Sequence, residues 1–169
     1  MSLGALSGPL DGTSNYEQTM DTYVGDDKPG KVIVIAAGNS GGDKVHASGQ
    51  VGQGQTLGTT FQVGSQTRAV IAEVWYSGSD RMDFQLVDPN SNTTDWVTAG
   101  NEVEGAYPSG TQVGVYCENP NPNNGDMQIF FVLVGPGNDG AVTTGTYRFD
   151  LRGQTIANGR FDAWIRNAE

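Results

Sequence analysis

The stretch Met127-Gln128-Ile129-Phe130-Phe131-Val132-Leu133-Val134, closed by Gly135-Pro136-Gly137-Asn138-Asp139-Gly140, decides how this chain is read. Seven β-branched, aromatic and other apolar residues, interrupted only by Gln128, suit a strand, and the residues that follow are those that make turns. The same punctuation recurs along most of the sequence. Further strands are expected over 59–63, 69–76, 82–87, 111–116, 145–151 and 159–165, several of them alternating apolar with polar as half-buried antiparallel strands do. Asp88-Pro89-Asn90-Ser91-Asn92 and Glu118-Asn119-Pro120-Asn121-Pro122-Asn123-Asn124-Gly125 supply the intervening turns. Many short strands so joined predict an antiparallel β-sandwich and a mainly β chain.

Composition agrees. At 169 residues and 36% hydrophobic, the chain can bury one substantial core, and its 25 glycines are consistent with many turns. A formal net charge of −10 argues against nucleic acid or an anionic membrane as partner, because phosphate contacts need clustered Lys and Arg. No apolar run is long enough to span a bilayer, no signal peptide is recognised at the start, and the compartment stays open. Cys117 is alone, so it forms no intrachain disulfide and is expected to be an inert thiol in an apolar strand.

The first third of the chain has another character. Ser14-Asn15-Tyr16-Glu17 is a capping box, and Tyr16, Met20, Tyr23 and Val24 follow at helical spacing. Beyond it, Val32-Ile33-Val34-Ile35 reads as a strand covered on both faces, and it stops at Ala36-Ala37-Gly38-Asn39-Ser40-Gly41. Small residues there let another backbone approach closely, and Asn39 offers one amide donor.

This run resembles the oxyanion-hole segment of the subtilisin-like serine proteases. The resemblance extends to Met1-Ser2-Leu3-Gly4 ahead of the helix, to His46-Ala47-Ser48-Gly49, and to Gly145-Thr146-Tyr147 and Gly159-Arg160-Phe161-Asp162-Ala163-Trp164-Ile165. The later segments look like the jelly-roll-like insert of certain larger bacterial members. The resemblance implies that Asn39 donates to the oxyanion, and that Ser2, Leu3, Gly4, Ala37 and Gly38 line the pocket for the side chain preceding the scissile bond. It further implies a short α/β fragment of the subtilisin core at 1–47, then a jelly-roll-like sandwich at 48–169.

The catalytic Asp, His and Ser of that family are missing. Gly12-Thr13-Ser14 continues Asn15-Tyr16-Glu17 instead of Met-Ala-Ala-Pro and precedes the Asn segment, which fits a helix cap and not a nucleophile. His46, the sole histidine, follows the Asn segment and is expected to be a hydrogen-bonded structural imidazole. The expected function is therefore an internal part of a serine endopeptidase, inactive alone. Its partners would be the rest of that protease, a protein or peptide substrate, and a second copy through an exposed strand edge. The alternative is a free-standing, non-catalytic sandwich that binds protein or carbohydrate, with Trp96 and Tyr107 as a sugar platform while Trp75 packs in the core.

No cofactor is expected. Asp80, Asp83 and Asp88 offer loop oxygens to calcium, but without a regular ligand spacing the plainer reading is exposed turn carboxylates near Arg81.

Overall fold

The computed structural model describes residues 8–9, 11–35, 42–137 and 139–168, with residues 167 and 168 described by their backbone alone. Among the described residues one helix, α1 (Asn15–Tyr23), precedes nine strands: β1 (His46–Gln50), β2 (Thr56–Val63), β3 (Ala69–Tyr76), β4 (Arg81–Val87), β5 (Asn101–Ala106), β6 (Gln112–Cys117), β7 (Met127–Val134), β8 (Gly145–Thr155) and β9 (Arg160–Ala168). They form two antiparallel sheets, one in the order β1-β9-β3-β7-β6-β5 and one in the order β2-β8-β4. From β1 to β4 and again from β7 to β9 the chain passes between the sheets at each step. Isolated bridges from Val97 to Phe84 and from Thr93 to Val87 continue the smaller sheet beyond β4.

The sheets pack face to face because strand side chains alternate. Met127, Ile129, Phe131 and Leu133 of β7 point inward with Val70, Ala72, Val74 and Tyr76 of β3, and meet Met82, Phe84, Leu86, Tyr147, Phe149 and Leu151 from the other sheet. Aromatic rings tie the layers together: Phe84 to Phe131 at 5.4 Å, Phe61 to Phe131 at 5.8 Å, and Phe149 edge-on to Phe161 at 6.1 Å between centroids. Each fully buried ring contributes about 1.5–3 kcal/mol of transfer free energy. Gly49 is required where β1 crosses this core, since a Cβ there would lie 2.8 Å from the Phe161 ring.

The antiparallel, mainly β architecture predicted from sequence is the one observed. The strands at 69–76 and 127–134 match their expected limits, whereas β8 runs on to Thr155. Two strands were not anticipated, β1 and β5. Both are sheet edges.

Candidate functional site

The residues assigned to the substrate cleft, Asn39, Ala37, Gly38, Ser2, Leu3 and Gly4, lie outside the described residues. Their described neighbours set the frame. α1 is capped as its sequence specifies: the Glu17 amide donates to Ser14 Oγ, and the Ser14 amide donates to a Glu17 carboxylate oxygen at 3.1 Å. None of its residues is buried, and Tyr16 and Tyr23 are 80% and 59% exposed.

Val32–Ile35 corrects an expectation. The segment belongs to no sheet, and Val32 and Val34 are 81% and 75% exposed. A strand of the parallel, doubly covered kind exists only with neighbours on its ladder and layers on its faces. All nine described strands are taken up by the sandwich.

The expected structural role of His46 fits what is seen. It opens β1, where Nε2 lies 3.0 Å from Asp162 Oδ1 and the ring stacks on Trp164 at 4.9 Å. Asp162 also accepts from Arg160 Nε at 3.3 Å. Ser48 lies across from Asp162 in the β1–β9 ladder, but no hydrogen bond joins it to the imidazole, so these three do not make a nucleophile and base.

The carboxylates offered to calcium are not exposed, which corrects the plainer reading too. Asp80 is wholly buried, with Oδ1 accepting from the amides of Ala157 and Asn158 and Oδ2 from Gly159, at 2.6, 3.0 and 2.7 Å. Asp83 accepts from Arg152 and Gln154. Asp88 accepts from the amides of Asn90 and Asn92 and closes its own turn. Each of the three carboxylates thus accepts from protein donors, and among the described residues no three His, Cys, Asp or Glu side chains group as a metal site.

The aromatic platform is likewise dispersed. Tyr107 is buried and donates through Oη to the Leu86 carbonyl, while Trp96 lies beneath the Arg152 guanidinium at 4.2 Å. Trp75 is buried as expected but not in the sandwich core. It sits on the opposite face of β3, where its indole N–H donates to Glu73 Oε2 at 3.1 Å. Cys117 is buried, and desolvation pushes its thiol up to about 12, so it stays protonated and unreactive.

Glu73 and Asn124, not singled out by sequence, join the two parts of the molecule. Glu73 Oε2 accepts from the Gly8 amide at 3.0 Å, and Asn124 Nδ2 donates to Thr13 Oγ1 at 2.7 Å. Their partners lie 65 and 111 residues away in the chain, so no local pattern announces them.

This geometry agrees with two comparisons. The fold is similar to that of the CspB protease of Clostridium perfringens, with a TM-score of 0.78 over 97% of this chain at 22% sequence identity. The chain spans 34% of that protein's length. A family model, that of the subtilase family (peptidase S8), matches residues 1–142, and the chain therefore belongs to the subtilases. No curated protein matches it. No described helix is long and apolar enough to cross a membrane.

Proposed function

We propose that this chain is the portion of a subtilisin-like serine endopeptidase that supplies the oxyanion donor, one wall of the substrate cleft and a sandwich insert. Asn39 donates its side-chain amide to the oxygen of the tetrahedral intermediate. Ser2, Leu3, Gly4, Ala37 and Gly38 line the pocket for the residue before the scissile bond. The catalytic Asp, His and Ser come from elsewhere in the complete protease, so this chain alone does not hydrolyse peptides. The mechanism there is acyl transfer: the serine attacks, the histidine takes and then returns its proton, and the oxyanion is held by Asn39 with a backbone amide.

The observation that supports the reading is the subtilase match over residues 1–142, which takes in the apolar run that leads to Asn39. In a self-sufficient binding module such a run has no purpose. In a subtilase such a run is a central strand covered on both faces. The alternation of strands between sheets supports reading the rest as a jelly-roll-like insert.

Asn39→Ala in the complete protease is the test. We expect kcat to fall by roughly 10²–10³ with KM little changed, the loss known for the equivalent donor in subtilisin itself. An unchanged kcat removes Asn39 from the mechanism. Peptidase activity from this chain alone, abolished by a serine-directed phosphonate, would show that the triad is not supplied from elsewhere.

A further inference from the structure

The loop from Gly8 to Thr13 connects the segment assigned to the substrate pocket with helix α1, and the sandwich grips it at both ends. At one end stands Glu73, in the middle of β3, on the face turned away from the sandwich core. It is buried, and its Oε2 accepts both the Gly8 amide and the Trp75 indole N–H, while Arg166 Nη2 lies 3.8 Å from Oε1. Gly8 has φ +100°, a conformation that side-chain-bearing residues rarely adopt. At the other end stands Asn124, in the loop between β6 and β7. Its Nδ2 donates to Thr13 Oγ1 and to Asp126 Oδ2, and Asn124 Oδ1 accepts from the Asp126 amide.

The second grip continues into the helix cap. Thr13 Oγ1 donates to Asp11 Oδ1 at 2.6 Å, the Thr13 carbonyl accepts from Gln18 Nε2, and Thr13 immediately precedes the N-cap Ser14. A shift of Asn124 is thereby passed to the start of α1. A shift of Glu73 is passed to Gly8, four residues from Gly4, a separation that a chain spans in at most about 14 Å.

A carboxylate buried on the outer face of a sheet is expensive unless its oxygens are filled, and here one of the donors comes from the loop. Trp75 and Arg166, its partners within the sandwich, hold the carboxylate in place to receive the Gly8 amide. Asn124 likewise fixes its own turn through Asp126 and has a further donor hydrogen to spare for Thr13.

We infer that Glu73 and Asn124 are positioning residues: they fix the Gly8–Thr13 loop to the sandwich and so set the geometry of the pocket for the side chain preceding the scissile bond. This rests on the protease reading above and adds a purpose for the insert. The sandwich is coupled to substrate selection through a loop it holds, while the reacting groups remain outside its reach.

Two measurements test the inference. The first follows amide hydrogen exchange in the 169-residue chain. Glu73→Ala should speed exchange at the Gly8 amide about tenfold or more, while Ile129 and Leu133 in β7 keep their protection. Glu73→Gln, whose carbonyl still accepts, should restore much of the Gly8 protection. Asn124→Ala, on a solvent-facing loop, provides a second variant that leaves the core intact and should loosen Thr13 and Ser14.

The second measurement uses the complete protease and peptides that differ only in the residue before the scissile bond. Both alanine variants should change the ranking of kcat/KM among those peptides by about tenfold, mainly through KM. Unaltered Gly8 and Thr13 exchange, or an active protease whose ranking stays within about twofold, overturns the inference. A complete protein that cleaves no peptide at all, with the exchange results as expected, instead brings down the protease reading on which the inference stands.

Discussion

The sandwich and the segment before it obey different rules. From β1 onward the inward-facing apolar side chains are buried against one another, and Phe84, Phe131, Tyr147 and Phe161 are no more than 1% exposed. Between Asn15 and Ile35 a helix is capped and an apolar run is spelled out, yet no helix residue is buried and Val32 is 81% exposed. Local capping and the Asn124–Thr13 contact mark the start of the helix, while none of its own residues is buried. The lesson is that capping is specified by residues close together in sequence, whereas burial is decided by what packs against a segment in the fold.

The difference is most easily broken at Phe131. This ring contacts Phe61, Phe84 and Phe149, so Phe131→Ala should destabilise the sandwich by about 3–5 kcal/mol through lost transfer energy and a residual cavity. Tyr23→Ala, in the same denaturation experiment, should change stability by less than about 0.5 kcal/mol. A large effect at Tyr23 would mean that α1 contributes to the fold of this chain. The comparison would then collapse.

A polar site gives the next effect. Asp80 holds together the turn between β8 and β9 by accepting three backbone amides, a connection made across 77–79 residues of sequence. Asp80→Asn keeps the shape, removes the charge and turns an acceptor into a donor. We expect a loss of roughly 2–3 kcal/mol, measured by urea denaturation, because buried amides are left without an acceptor. Stability that rises in calcium and vanishes with this substitution would instead assign Asp80 to a cation.

These sites also show what was legible from sequence. The capping box was readable because both partners lie within four residues, and β3 and β7 were readable because long apolar runs sit at the centre of a sheet. The edge strands were not. β1 is His46-Ala47-Ser48-Gly49-Gln50 and β5 is Asn101-Glu102-Val103-Glu104-Gly105-Ala106, polar and glycine-containing. An edge needs few inward residues, and charge on it discourages pairing with other chains. Carboxylates were misread for a related reason. Asp80 and Asp83 look like turn residues until the donors at 152–159 fold over them. The Asn39 segment, outside the described residues, was assigned through family resemblance, and the grip of Glu73 and Asn124 on the loop from Gly8 had no signature at all.

The smallest effect lies where the two regions touch. Burial, and then the charge of Asp11, raise the Asp126 carboxyl above its ordinary value. A carboxylate with a raised folded-state pKa holds its proton more tightly in the folded protein, so its ionisation weakens folding. That penalty is absent when the pH is below the unfolded value and complete once the pH exceeds the folded one. Asp126→Asn retains an oxygen to accept from Asn124 and removes the charge facing Asp11. It should therefore stabilise the chain near pH 7 by up to about 0.5 kcal/mol, discounted for partial exposure, and have no effect near pH 3. A gain that persists at the lower pH would have to come from packing. A gain confined to the higher pH would assign the penalty to ionisation of Asp126, set first by its burial and then by the charge of Asp11.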